Sequence, residues 1–364
     1  MNCSSNMEKL SNEIYKNQFN FKIIISSLRN SNAYICPMFE SQDLFKNFTE
    51  KEFEVTALKI FRFQAKQNLV YKKFLQHLKV DSTNVHNIKE IPFLPISFFK
   101  DFKIISGKNS IEKTFSSSGT TGALTSYHHI SKLEIYHQQL RANFAHFYGN
   151  FEDYIIYPLL PAYAERQGSS LIEMVNFWMQ NTGQENDFYY LYDHQKLAED
   201  LRKYKNDKKV ILIGVSFALM DFAEHFPMDL SNVIIMETGG MKGRRQEITR
   251  TELHNFLKKS FQTQQIQSEY GMTELLSQAY AKKDGIFQTP PWMKIFLRDK
   301  EDPLSFAENN MSGGINIIDF ANVNSCSFIA TDDLGRIRNE NELEILGRLD
   351  ETDMRGCNLM LTNN

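Results

Sequence analysis

The sequence predicts an α/β protein in which a mainly parallel sheet is flanked by helices and followed by a small antiparallel β subdomain. Two features carry that prediction. Apolar, β-rich runs alternate with helical stretches through the middle of the chain: "DYIIYPLLP" (153–161), "KVILIGVSF" (209–217), "NVIIMETGG" (232–240) and "QIQSEYG" (265–271). Strands buried on both faces read as such continuous runs, and helices between them make the connections parallel. After about residue 310 the pattern turns to "GINIIDF", "CSFIATDDLGRI" and "ELEILGRL", short runs joined by turns that predict antiparallel strands.

Taken in order, residues 1–110 read as a mostly helical N-terminal region packed on a main domain. Within it, residues 52–78 place Val55, Leu58, Phe61, Ala65, Leu69 and Phe74 near helical spacing. "IPFLPISFFKDF" (91–102) follows, and its prolines predict an extended segment. The main domain is expected over 111–346, with the antiparallel part from about 310, and residues 347–364 form a hinge-like motif and short tail. "KIISGKNSIEKTF" reads as a strand and 131–148 as a helix, so the loop between them is expected to join strand to helix. Helices are also expected at 169–180, at "ALMDFAEHF", at "RRQEITRTELHNFLKKSF" and at "MTELLSQAYA". In parallel sheets ligands bind at the carboxyl ends of the strands, where loops 116–122, 238–243 and 270–274 fall.

Bulk properties narrow the function. The formal net charge is −3, which excludes a strongly basic nucleic-acid or membrane-surface binder. Cys3, Cys36, Cys326 and Cys357 lack CxxC spacing, which disfavours zinc and a disulfide framework and suits a reducing cytoplasm. The N-terminal stretch lacks the apolar core of a signal peptide, and no run approaches a membrane span. The 29 Phe and 15 Tyr read first as a large aromatic core, and second as a pocket for an apolar ligand.

Four short motifs carry chemistry. "FSSSGTTGAL" (115–124) has glycines that let backbone N–H groups converge and hydroxyls that add donors, as a phosphate loop needs. It is not a Walker A loop, because Ala123 and Leu124 follow Gly122 where Lys and Ser/Thr would stand. Taken alone, the motif reads first as a flexible polar turn, because Ser/Gly/Thr runs are common in loops. "EYGMTE" (269–274) offers an aromatic face at Tyr270, a tight turn at Gly271, a hydroxyl at Thr273 and a carboxylate at Glu274 suited to Mg²⁺. It also reads as a helix N-terminus. "TDDLG" (331–335) is a turn or a ribose-gripping carboxylate, and "GRLD" (347–350) a strand end.

Their order, "SSGTTG", "YGMTE", "TDDLG", "GRLD", resembles the motif series of the adenylate-forming superfamily. "IPFLPISFFKDF", "TGGMKGRR", "SEYGMTE" and "RGCNLML" look most like its acyl-protein synthetase (LuxE) branch, with the resemblance running from about residue 90 to the C-terminus. The resemblance implies the large domain of an adenylate-forming enzyme, ATP and Mg²⁺ as cofactors, and a carboxylic, fatty acid substrate. It implies an acyl-accepting partner protein such as an acyl-CoA reductase. By the same resemblance Ser117, Ser118, Gly119, Thr120, Thr121 and Gly122 form the phosphate loop, and Thr121 and Glu274 lie near Mg²⁺. Gly239, Gly240, Tyr270, Gly271 and Thr273 belong to the nucleotide site, Asp333 to the ribose, and Arg348 to the ribose and phosphates. Asp350 matches a hinge aspartate, and Cys357 matches the cysteine that receives the acyl group. An inert tail cysteine is the plainer reading of Cys357; Arg355 nearby favours a thiolate.

Two departures stand out. Leu124 and Thr125 occupy the places of Pro and Lys in many superfamily members. The chain ends fourteen residues after Asp350, where relatives carry a lid domain with a catalytic lysine, so the lid is expected to be absent or vestigial. Lys242, Arg244 and Arg245 could supply the missing charge, and a solvated basic turn describes them equally well. Of the adjacent His128 and His129, strand geometry sends one to each face, so one is expected to line the cleft without a metal. "AERQGSSL" (164–171) could approach the acyl substrate or cap a helix through Ser169 and Ser170. Three functions follow: an acyl-protein ligase, a carboxylate–CoA ligase resembling phenylacetate–CoA ligase, or a non-catalytic nucleotide-binding subunit.

Overall fold

A computed structural model describes residues 39–117, 125–161, 168–184, 188–204, 207–240, 248–300, 302–307, 311–339 and 342–349. Among the described residues, five α-helices and a strand hairpin precede the parallel sheet. Helix α1 is Ser41–Leu44 and α2 is Glu50–Gln67. Thr49 and Glu52 cap α2 reciprocally, with Thr49 N donating to Glu52 Oε2 at 2.9 Å and Glu52 N to Thr49 Oγ1 at 3.3 Å. The helical stretch expected over 52–78 breaks at Asn68. Its side-chain oxygen accepts from Val70 N at 3.1 Å and Tyr71 N at 3.0 Å, which starts a second helix, α3 (Leu69–His77). A buried amide that offers the backbone a better partner than the helix ladder ends the ladder. Val55 and Leu69 are exposed; Phe53, Ala57, Phe61 and Phe74 form the buried face.

The proline-bearing segment, expected to be extended over 91–102, is extended only around its prolines and turns helical where no proline follows. It forms β1 (Leu94–Pro95), which pairs parallel with a later strand, and then a single helical turn, α4 (Phe98–Asp101). Strand β2 (Lys113–Ser116) pairs antiparallel with β3 (Tyr127–Ile130). The hydroxyl-rich loop therefore spans a hairpin, not a strand-to-helix turn. The cause lies in "YHHI", which alternates exposed, buried, half-buried, buried and so is a half-buried strand ahead of the expected helix. That helix, α5 (Leu133–Phe147), comes next.

The parallel sheet is built from β4 (Tyr154–Leu159), β5 (Lys209–Val215), β6 (Val233–Thr238) and β7 (Gln267–Tyr270) in that spatial order. The intervening helices are α6 (Ser170–Asn181) and α7 (His194–Lys203), then α8 (Ser216–His225), then α9 (Arg250–Ser260). Ser169 caps α6, so that part of "AERQGSSL" does cap a helix; residues 164–167 lie outside the described set. The sheet ends in β8 (Ala279–Ala281), antiparallel to β7. A helix is expected at "MTELLSQAYA", and the structure instead has a loop and this strand. The loop's backbone is held by side chains from another segment, described below, which leaves it no reason to close a helical ladder.

The antiparallel sheet starts earlier than residue 310. It comprises β9 (Ile286–Phe287), β10 (Met293–Arg298), β11 (Ser312–Asp319), β12 (Phe328–Asn339) and β13 (Glu342–Arg348), in the order β10-β11-β12-β13-β9, with β1 beside β12. One core lies between the parallel sheet and α5–α9, centred on residues such as Phe144, Trp178 and Leu212. A second joins α2 and α3 to the antiparallel sheet through Phe61, Tyr71, Phe320 and Phe328. The largest fully buried side chains are all aromatic, so the abundant Phe and Tyr are core first. Among the described residues no helix is long and apolar enough to cross a membrane.

Candidate functional site

The carboxyl ends of β6 and β7 meet the antiparallel sheet at one place. Tyr270 closes β7, and its Oη donates to Asp333 Oδ2 on β12 at 2.7 Å. Asp333 is the register partner of Arg348 on β13. Burial pushes the Asp333 carboxyl up; the bond from Tyr270 and the Arg348 charge pull the other way, and burial wins. Arg348 itself donates to the neighbouring Asp332 at 3.2 Å. Thus the expected ribose and phosphate residues sit together with the tyrosine expected at the adenine.

Gly271 and Gly239 hold the turns that follow β7 and β6. A Cβ on Gly271 would lie 2.3 Å from Glu269 Oε1, so any larger residue there requires that carboxylate or the turn to move. Gly239 has φ +68°, a left-handed conformation, and Gly240 follows with open space beside it. The two strand ends are tied by Thr238, whose hydroxyl donates to Glu269. Beneath Gly239, the Ser216 hydroxyl lies 3.2 Å from Glu237 Oε2 and 3.3 Å from Gly239 O. Burial would raise the Glu237 carboxyl, yet His254 and Arg250 beside it outweigh burial and hold it below its usual range. Arg250 also donates to Ile345 O on β13 at 3.2 Å, so α9 braces the antiparallel sheet against β6.

The 117–126 loop is closed at its base by Ser117 and Ser126. Ser126 N donates to Ser117 Oγ at 3.0 Å and Ser117 N to Ser126 O at 3.1 Å. Of the expected phosphate loop only Ser117 is described; Ser118, Gly119, Thr120, Thr121 and Gly122 lie outside the described residues, as do Lys242, Arg244, Arg245, Asp350 and Cys357. The hairpin reaches the β7–β8 loop through His128, whose Nδ1 lies 2.9 Å from Thr273 O. Thr273 and Glu274, expected in this site, are therefore anchored to the hairpin that carries the loop.

Glu274 is buried and has no salt bridge among the described residues. Burial raises its carboxyl; the Ser126 hydroxyl and the more distant Lys100 charge oppose that without overcoming it. A buried carboxylate with no ion pair among the described residues is the kind of group that could hold a divalent cation. Among the described residues no three His, Cys, Asp or Glu side chains gather as a metal site of their own.

The backbone around Glu274 is held from behind by the turn after β11. Asn322 Nδ2 donates to Glu274 O at 2.7 Å, and Asn322 Oδ1 accepts from Leu276 N at 3.0 Å. Asp319 accepts from Ser277 N at 2.8 Å and from Ser277 Oγ at 2.7 Å. Motif reading missed Asn322 and Asp319. Their signal was polar residues within the otherwise apolar "INIIDFANV", all buried. His129 faces away from His128 and pairs with Thr114 Oγ1 at 3.0 Å. Cys326 is fully buried, and burial pushes its thiol up to about 12, so it is an inert structural cysteine.

Comparison with known proteins gives this geometry a context. The family profile described as acyl-protein synthetase, LuxE, matches residues 26–147 and 178–364. A long-chain-fatty-acid–luciferin-component ligase of Aliivibrio fischeri is 24% identical over 335 residues, 83% of this chain and 86% of that protein. The ligase of the same name from Vibrio harveyi is 24% identical over 332 residues, 83% of this chain and 85% of that one. Among solved structures, 2-hydroxyisobutyryl-CoA ligase bound to its acyl-AMP superposes with a TM-score of 0.63 at 11% identity, over 88% of this chain and 74% of that one. ATP-bound MatB from Rhodopseudomonas palustris superposes with a TM-score of 0.51 at 15% identity, over 66% of this chain and 49% of that one. The chain thus spans about half the length of MatB. The fold is that of the adenylate-forming ligases, and the chain belongs to the LuxE family of acyl-protein synthetases.

Proposed function

We propose that the chain joins a long-chain fatty acid to AMP, using ATP and Mg²⁺, and passes the acyl group to a protein cysteine. The names of the relatives support the acid, and the family description supports a protein acceptor. A carboxylate oxygen attacks the α-phosphorus of ATP, the bond to the bridging oxygen breaks, and pyrophosphate leaves with its electrons. The resulting acyl-AMP is a mixed anhydride. A thiolate then attacks its acyl carbon, AMP departs, and a thioester remains. The first half needs no protein nucleophile, only positioning and charge stabilisation.

The observation that carries this reading is the bond from His128 to Thr273, which brings the hydroxyl-rich hairpin to the loop bearing Glu274. In this reading residues 117–122 wrap the phosphates and Asp333 takes the ribose hydroxyls. Tyr270 forms one wall of the adenine site, Gly239 and Gly240 another, and Arg348 approaches the phosphates. Glu274, with Thr121, holds Mg²⁺, which supplies charge neutralisation at the phosphate oxygens. Cys357 accepts the acyl group.

The test is ATP–pyrophosphate exchange with acids from acetate through long-chain fatty acids to aryl acids, with and without Mg²⁺. Exchange that requires a long-chain acid, Mg²⁺ and the Glu274 carboxylate supports the reading. ATP binding with no exchange for any acid overturns it in favour of a non-catalytic subunit. Acyl label carried on Cys357, and lost in Cys357→Ser, supports the second half; a free CoA thioester as the product in its place would refute it.

A further inference from the structure

His128 lies two residues past the base of the hydroxyl-rich loop and is fully buried. Its Nδ1 is 2.9 Å from Thr273 O and its Nε2 is 2.7 Å from Ser325 Oγ. A carbonyl oxygen only accepts, so Nδ1 carries the ring proton and Nε2 accepts from the Ser325 hydroxyl. That hydroxyl has one proton, and its other neighbour, Asn322 O, is farther away at 3.3 Å. Phe99 packs its ring against the imidazole with centroids 5.3 Å apart. Both ring nitrogens therefore have one assignment each, and the ring cannot turn over without losing both bonds.

What the imidazole grips matters more than the grip. Thr273 O belongs to the peptide just before Glu274, and Glu274 O, gripped by Asn322, belongs to the peptide just after it. The two peptide planes that set the direction of the Glu274 side chain are thus fixed by two buried side chains. Ser126 lies on the same buried side of the hairpin as His128. Residues two apart in an extended segment share a face. One face of the hairpin therefore meets the Glu274 loop at the carbonyl that leads into Glu274.

We propose that His128 is a positioning residue for adenylate formation, fixing the Glu274 backbone against the β2–β3 hairpin so that its carboxylate would meet Mg²⁺ and ATP in one geometry. The inference rests on the function proposed above. A purely structural histidine would contribute to folding and leave the metal dependence of nucleotide binding alone. A positioning histidine changes it, because groups that orient a metal-binding side chain alter affinity or activity by about 10- to 100-fold when removed.

The experiment compares His128→Phe, which keeps ring volume and loses both bonds, with His128→Asn, whose amide N–H can reach Thr273 O. Three quantities are read: ATP binding as free Mg²⁺ is titrated, kcat and KM in pyrophosphate exchange, and the thermal midpoint. H128F is expected to raise the Mg²⁺ midpoint about tenfold and lower kcat about 10- to 100-fold, with H128N returning both to within about threefold of wild type. An H128F protein with wild-type Mg²⁺ midpoint and kcat overturns the inference, as does an H128N protein no better than H128F. If H128F does not fold, Ser325→Ala replaces it: the freed ring predicts a Mg²⁺ midpoint raised about threefold or more, and an unchanged midpoint overturns the inference. Wild-type protein that fails to bind ATP overturns the proposed function and this inference together. Wild-type exchange with an unaffected H128F overturns this inference alone.

Discussion

Asn322 offers the sharpest test of how the β7–β8 loop is held. Its side chain is fully buried and makes three bonds: to Glu274 O at 2.7 Å, to Cys326 O at 3.1 Å and from Leu276 N at 3.0 Å. Asn322→Ala leaves two carbonyls and one N–H buried without a partner. Each orphaned group costs about 1–3 kcal/mol, and water entering the vacated volume returns part of it, so a net loss of about 4 kcal/mol is expected. The unfolding entropy of a 364-residue chain is about 0.76 kcal/mol/K, so the thermal midpoint should fall by about 5 °C. Asn322→Asp is the isosteric control. It keeps an acceptor for Leu276 N but turns an oxygen towards two carbonyl oxygens, so it should fall at least as far as N322A. Differential scanning calorimetry measures both. A drop below about 1 °C for either variant would refute the claim that this amide holds the loop.

Gly271→Ala places a methyl group 2.3 Å from Glu269 Oε1, so the carboxylate or the turn must move; the variant should lose both thermal stability and pyrophosphate exchange, whereas wild-type behaviour would mean that the turn has slack. Glu173 joins Lys113 of β2 at 2.5 Å and His137 of α5 at 2.8 Å. Burial opposes its ionisation, but the bonds from His137 and Lys113 prevail and bring its pKa to about 2. A depressed carboxyl stabilises the fold above its unfolded value near 4.5 and loses that contribution as pH falls towards 2, so wild type should exceed Glu173→Gln by about 3 kcal/mol at pH 7 and converge with it in acid. A constant difference from pH 7 to 2.5 would contradict that assignment. Cys326 should resist thiol reagents in the native protein at pH 8 and react on unfolding, as a fully buried thiol does; rapid native labelling at this position would refute the packing around it.

What the sequence disclosed depended on whether a residue's partners were near it in the chain. The strands β4 to β7 were legible because full burial writes itself into runs such as "KVILIGV", and the helices between them carried their caps, as Thr249 and Glu252 do for α9. The break at Asn68 was not legible. Its side chain takes Val70 N and Tyr71 N locally, but it is fixed there by a bond to Ser325 O at 2.8 Å, more than 250 residues away. "MTELLSQAYA" has helical composition, and its conformation is decided by Asp319 at the end of β11 and Asn322 in the turn after it. Propensity is a weak prior when a distant segment supplies the hydrogen bonds. The candidate site divides the same way. Tyr270, Glu274 and Asp333 are placed by motifs; the groups that grip the backbone around Glu274, His128 and Asn322, belong to none of these motifs.

That division has a chemical consequence for the loop that bears Glu274. A helix there would satisfy its own backbone and would need nothing from the rest of the chain. A loop satisfied by His128, Asn322 and Asp319 is instead registered against the hairpin and the antiparallel sheet at once. Tyr270, four residues earlier, closes the same junction from the other side through Asp333. The two sheets therefore meet through hydrogen bonds that converge on residues 270–277, while their cores remain largely separate behind them. Side chains gripping the peptides on either side of Glu274 set the direction in which its buried side chain leaves the backbone. A helix turn at the same position would have fixed its direction only as well as one exposed rotamer allows.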